Sequence, residues 1–302
     1  TPHRSSAMAM FGFVYLWYLM VVLLLEIWLD YRRDIVLLAQ SSSGWRRWFY
    51  RALTLGSSNI SEGALRVDDR VGWTITVIGI PSAFLLHGYV GFIFGSVKAN
   101  PWWSTPLMPV VFLFSAMVSG IAAVMLIYMV TSRIRRVPID MRCLDTIAQY
   151  LFYTFIIDFS LEMLDLLQRT YEADESFRTL DFMVHTRLWT SQVVVQIVLG
   201  TLVPLTVLFL AQVVKIADVI RKRIYAIAGS LTLLGILAMR WNVVIGGQLF
   251  SKSLLGYTTY KMGFATREGS LTAIVLLLLP FGILWALIKL FPPWEKSASV
   301  SS

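Results

Sequence analysis

Seven apolar runs, each of roughly 20 residues or more, limit what this chain can fold into. A helix rising about 1.5 Å per residue needs about that length to cross a hydrocarbon core. The runs read as spans at 7–30, 71–97, 106–131, 144–167, 188–214, 224–246 and 271–291. The expected fold class is therefore all-α, a polytopic transmembrane helical bundle with seven spans. Charged residues are only 15% of the chain, below the roughly 25% of ordinary globular domains, so a large soluble core is not the explanation. The first run is too long for the apolar stretch of a secretory signal peptide and lacks a small-residue cleavage pattern. The chain opens on Thr1 rather than Met, so a preceding segment is expected.

The formal net charge of +8 could mark a nucleic-acid binder, but its distribution argues otherwise. The connections at 31–70, 132–143 and 215–223, together with Lys296, carry sixteen Lys and Arg, against eight on the opposite face. By the positive-inside rule the richer face is cytoplasmic, which puts the N-terminus outside and the C-terminus inside. The basic surplus then reports topology and the lipid bilayer, and no nucleic-acid partner is expected. Within 31–70, the stretch Trp45-Arg-Arg-Trp48 reads as an interfacial segment suited to anionic head groups. On the outer face, 169–175 and the long aromatic stretch 248–270 offer surfaces for an extramembrane partner.

Cys143 is the only cysteine, so the chain forms no internal disulfide and cannot hold an iron-sulfur cluster, which takes about four thiolates. It reads as a buried or interfacial free thiol. Of three histidines only His87 falls within a span, which excludes the facing pair that a b-type haem takes. No haem or iron-sulfur cluster is expected in this chain.

The fourth span carries Asp158, Glu162 and Asp165 at i, i+4, i+7, one stripe of a helix. Ionised carboxylates at that depth cost several kcal/mol unless paired, protonated or hydrated. One reading is a proton path; the other is static glue, with the acids tied to Arg240 of the sixth span or to Gln192 and Gln196 of the fifth. Arg240 would itself be costly alone, so Asp158 or Glu162 is its expected partner. On the first span Tyr15, Tyr18, Val22 and Glu26 share a face, and the second carries His87 and Tyr89. An apolar slot with a neutral histidine or a tyrosine hydroxyl could hold a quinone ring and relay its proton. An aromatic belt with an ordinary interfacial histidine is the plainer reading. Ser115, Ser119 and Gly120 form a small-residue pattern suited to close helix packing, and Pro109, Pro204 and Pro280 are expected to kink or bound helices.

The stretch His87-Gly-Tyr-Val-Gly-Phe-Ile-Phe-Gly-Ser-Val-Lys98, with Trp102-Trp-Ser-Thr-Pro-Leu-Met-Pro109, Phe112-Leu-Phe-Ser-Ala-Met-Val-Ser-Gly120 and Arg240-Trp-Asn-Val-Val-Ile-Gly-Gly-Gln248, resembles the NrfD/PsrC family of quinone-interacting membrane subunits. The likeness is strongest to its DsrP-like members, which belong with the DsrMKJOP complex of sulfur metabolism. It implies two four-helix bundles and about ten spans, three of them preceding this sequence. Residues 1–98, with the interfacial loop 31–70, would then be part of the first, quinone-side bundle; 99–247 would be the complete second bundle; and 248–302 would hold an external loop, a final span and a cytoplasmic tail.

The resemblance further implies a multi-pass subunit of a bacterial or archaeal cytoplasmic membrane. It would exchange electrons between menaquinone or ubiquinone and an extramembrane iron-sulfur protein on the outer face, beside other membrane and cytochrome subunits. The quinone-binding residues expected are His87, Tyr15, Tyr18 and Tyr89, and the polar track comprises Asp158, Glu162, Asp165, Arg240, Glu26 and Gln196. A proton- or ion-coupled transporter and a purely structural anchor are the alternatives.

Overall fold

The computed structural model describes residues 6–172, 175–250, 257–258, 263–266 and 269–291. Among them the regular elements are all helices, joined by turns and loops, beside an isolated antiparallel bridge between Phe250 and Tyr257. Helix α1 (Ala7–Leu16) starts where Ser6 Oγ accepts a hydrogen bond from the Ala9 amide at 3.2 Å, and runs through a π-helical turn (Trp17–Leu23) into α2 (Leu24–Ser41). There follow α3 (Gly44–Leu53), α4 (Glu62–Gly95), α5 (Met108–Arg135) and α6 (Met141–Glu172). Helix α7 (Glu175–Met183) continues through a long π-helical stretch (Val184–Leu202) into α8 (Val203–Val213). Helix α9 (Asp218–Trp241) passes into a π turn (Asn242–Gly246), and α10 (Ser270–Leu290) comes last.

Among the described residues, six of these continuous helices are long and apolar enough to cross a membrane. Helix α6 is 32 residues long but is not among the six. The protein is thus a polytopic, all-helical membrane protein. The helices overrun the expected spans: 31–70 is largely α2, α3 and the start of α4, and most of 168–187 is helical, with residues 173–174 outside the described set. Glu, Arg, Leu and Gln in these stretches are good helix formers, so polarity that ends a span does not end a helix. Parts of 248–270, and Lys296, also lie outside the described residues.

The chain divides into two compact units, Thr1–Leu23 with Val77–Thr258, and Leu24–Thr76 with Thr259–Ser302. The first holds a bundle of α5, α6, 184–213 and α9. Val118, Met125, Leu144, Leu151, Phe155, Leu208 and Tyr225 fill one half of its core, and Met108, Val111, Phe112, Met239 and Val243 fill the other. Two helices cross closely at Gly200 and Gly235, where a Cβ on either residue would strike the other's backbone. The small-residue pattern on α5 does not supply that contact: Gly120 has open space where a Cβ would be. In the second unit Arg32, 3% exposed, donates to Asp68 Oδ2 (2.7 Å), Ser57 Oγ and the Asn59 carbonyl, and Tyr50 donates to the Leu290 carbonyl at 2.8 Å. Cys143, expected as a buried or interfacial thiol, is exposed in the first turn of α6.

Candidate functional site

The two apolar halves of the bundle core are separated by a polar layer. Along α5 the break falls at Ser115, along α6 at Asp158, and along α9 near Arg240, so the layer is continuous across three helices. Asp158 is 1% exposed, and its Oδ1 has no hydrogen-bond partner among the described residues. One turn on, Glu162 faces the Gln196 amide. Gln196 Oε1 in turn accepts from Asn242 Nδ2 at 2.8 Å. Asp165 ends the stripe: it accepts from Thr105 Oγ1 and pairs with Arg169 Nε at 2.8 Å.

Arg240 departs from expectation. Its Nη2 donates to the Phe112 carbonyl (3.0 Å) and Ser115 Oγ (2.7 Å), and the guanidinium lies 3.9 Å from the centre of the Phe112 ring. Asp158 and Glu162 are near enough for their charges to act on it, but no direct ion pair joins them. The carbonyl, the hydroxyl and the ring face supply what a guanidinium in lipid needs, so a carboxylate contact is not required.

A cavity of about 240 Å³ opens beside this layer. Glu162, Asp165 and Arg169 of α6, Asp181 of α7, Gln192 and Gln196 of the π-helical stretch, and Asn242 line it, with Met108, Val111, Met239 and Val243 as its apolar wall. The segment after α4 closes one end. Asn100 Nδ2 donates to the Gly247 carbonyl (2.8 Å), Trp102 Nε1 to Asn242 O (2.9 Å) and Trp103 Nε1 to Val243 O (2.6 Å). Arg169 Nη1 donates to the Pro101 carbonyl at 2.8 Å. Helix α4 approaches the start of α5 closely through Gly91, where a Cβ would collide with the backbone of Met108 and Pro109.

The expected quinone residues lie elsewhere and do not line this cavity. His87 is half-buried, with Nδ1 2.9 Å from the Ala83 carbonyl. Tyr89 donates to the Ala7 carbonyl at 3.1 Å and joins an aromatic group with Phe11 and Phe92; Tyr15 stands against Phe11 but is exposed. Tyr18 is half-buried in the first π turn. That turn breaks the face on which Tyr15, Tyr18, Val22 and Glu26 were expected to align, since a π turn takes an extra residue. Glu26 accepts from Thr76 at 2.6 Å within the second unit.

Residues 1–252 match the family model described as "Polysulphide reductase, NrfD". The chain belongs to the NrfD family. This NrfD chain is also similar to a selenate reductase subunit of Mesobacillus selenatarsenatis, 34% identical over 114 residues, which cover 36% of the chain and 27% of that protein. The match therefore spans about a quarter of the relative's length.

Asn242, Thr105 and Arg169 of this NrfD protein were not singled out from sequence as site residues. Arg169 had a signal, four residues beyond Asp165 on the same helix. For Asn242 there was none, because its direction depends on the π turn that begins there.

Proposed function

We propose that this chain exchanges electrons between the quinone pool, as menaquinone or ubiquinone, and an extramembrane iron-sulfur protein on its outer face. Family membership over residues 1–252 is the observation that carries this reading. Other membrane and cytochrome subunits complete the complex, in a bacterial or archaeal cytoplasmic membrane. The segregation of Lys and Arg favours an outer N-terminus and a cytoplasmic C-terminus.

His87 is the residue proposed to meet the quinone head group, with Tyr15, Tyr18 and Tyr89 around it. The Ala83 carbonyl can only accept, so Nδ1 carries the ring proton, and Nε2 of neutral His87 is left with a lone pair. Such a nitrogen accepts a quinol hydroxyl and takes its proton as electrons leave for the iron-sulfur partner. Asp158, Glu162, Asp165, Arg240, Gln196 and Glu26 are proposed as the polar track for protons. For the wider complex the DsrP-like motifs favour sulfur metabolism; the similarity to a selenate reductase subunit makes an oxyanion acceptor the competing reading.

The test is quinol-linked electron transfer in membranes carrying His87→Ala beside wild type, with assembly of the complex checked in both. A fall of about a hundredfold with assembly intact is expected. Unchanged transfer would remove His87 from the quinone site.

A further inference from the structure

The cavity beside the polar layer holds buried amide oxygens without donors. Asn242 is 2% exposed, lines the cavity, and its Oδ1 has no partner among the described residues; its Nδ2 is already spent on Gln196. Gln192, also in the wall, has an Oε1 without a partner among the described residues. Gln196 Oε1 is occupied by Asn242, and its amide faces Glu162. The side-chain groups left free in the wall thus include an amide oxygen on each of two helical segments, with the Glu162 carboxyl beside them. Buried acceptors without donors are costly, and the ligand that satisfies several oxygens at once is a small cation or a water carrying a proton.

Arg169 does not supply the missing donor: Asp165 and the Pro101 carbonyl hold its guanidinium at the cavity's end. The charges facing Glu162 are Asp158 and Asp165 on its own helix, Arg169 with them, Asp181 from α7 and Arg240 from α9. Arg240 is bound to Phe112 and Ser115 rather than to a carboxylate, which leaves Glu162 free to exchange its charge partner.

We propose that this cavity is a loading site for a small hydrated monovalent cation, held by the Glu162 carboxyl with Asn242 Oδ1 and Gln192 Oε1. The Thr105–Asp165–Arg169 group lines one end of it. The cation is a proton carried on water or a sodium ion; both need the same oxygens. In the first case the Glu162 carboxylate takes the proton and becomes the neutral acid; in the second it stays ionised and balances the ion's charge. The inference deepens the polar-track part of the proposed function and does not depend on quinone exchange.

The experiment is infrared difference spectroscopy of the full chain in lipid nanodiscs, stepping pH in choline chloride and then in sodium chloride. A carboxyl band that titrates and is lost in Glu162→Gln is expected. An unchanged midpoint in the two salts assigns the proton; a midpoint lowered by about a pH unit in sodium, tenfold in proton affinity, assigns sodium. Asn242→Leu and Gln192→Leu each remove an oxygen and are expected to move the same midpoint, which keeps the site testable should Glu162→Gln fail to fold. A spectrum that none of the folded variants alters overturns the proposal. No quinone is present in this measurement, so a result here and the electron-transfer result at His87 fail separately.

Discussion

Helices α5 and α10 have the same mean hydropathy over their most apolar stretches, 2.6, yet 33% of that stretch of α5 is buried within the protein and none of that of α10. Hydrophobicity takes both into a bilayer and says nothing about which one packs. Lipid tails are as apolar as leucine, so helices in a membrane associate through close backbone approach and polar contacts. Helix α5 has these: Ser115 binds Arg240, Phe112 carries the guanidinium on its ring, and Met108 and Pro109 accept the close approach of α4. Helix α10 presents Leu, Ile, Val and Phe around its whole circumference, and its described polar ties within the second unit are near its two ends, where Thr272 Oγ1 donates to the Thr266 carbonyl and the Leu290 carbonyl accepts from Tyr50.

The sharpest way to break this contrast is at a glycine. Gly200→Leu places a side chain where Gly235 passes, and relief requires the 184–202 stretch and α9 to separate. A loss of at least about 4 kcal/mol is expected, enough that folded protein is not recovered in detergent. Recovery at the wild-type level, with unchanged thermal unfolding, would show that this crossing does not hold the bundle together.

Next in size is Arg32→Met in the second unit. Arg32 satisfies Asp68, Ser57 and the Asn59 carbonyl together, and Asp68 is only 15% exposed. Removing the cation leaves a largely buried carboxylate unpaired, at a cost of about 3 kcal/mol. A drop in unfolding temperature is expected, partly restored by Asp68→Asn in the same chain. If the double variant is no better than the single, the pair is not what fixes this unit.

The parts of the molecule legible in the sequence follow the same division. Span positions came from length and apolarity, which act locally, so they needed no partner. The stripe of Asp158, Glu162 and Asp165 was equally local, being a matter of helical period alone. What escaped depends on how one helix meets another. Arg240 was expected to turn to a carboxylate, whereas the rotation of α9 against α5 brings it to Phe112 and Ser115. Gly200 and Gly235 are far apart in sequence, and neither belongs to a visible motif. The π-helical stretches at 184–202 and 242–246 escaped too, and they aim Gln192, Gln196 and Asn242 at the cavity, since an extra residue per turn rotates every later side chain.

Ser115→Ala is smaller in effect but separates two accounts of the polar layer. It deletes one hydrogen bond to Arg240 and leaves the Phe112 carbonyl and ring in place. About 1 kcal/mol is expected, in line with hydrogen bonds between membrane helices. A loss several times larger would mean that Ser115 holds Arg240 away from Asp158 and Glu162, and that releasing it rearranges the cavity. The cavity's carboxyl band, measured on the same protein, distinguishes the two outcomes.

The smallest effect is expected at Gly282→Leu in α10, and it bears on the opening contrast most directly. A Cβ at this position would have nothing within 4 Å, so the position has open space beside the backbone. Replacing glycine inside a helix removes a propensity penalty of about 1 kcal/mol, here set against Pro280 two residues earlier, which already interrupts the helical hydrogen bonds. Unfolding of the isolated chain should therefore stay within about 0.5 kcal/mol of wild type. In the assembled complex the same substitution asks a different question. If neighbouring subunits pack on α10, the added side chain weakens their retention during purification while the isolated chain is unaffected. Full retention in both states would leave lipid as the only neighbour this face needs, making the difference between α5 and α10 one between a helix built to pack and one built to face the bilayer.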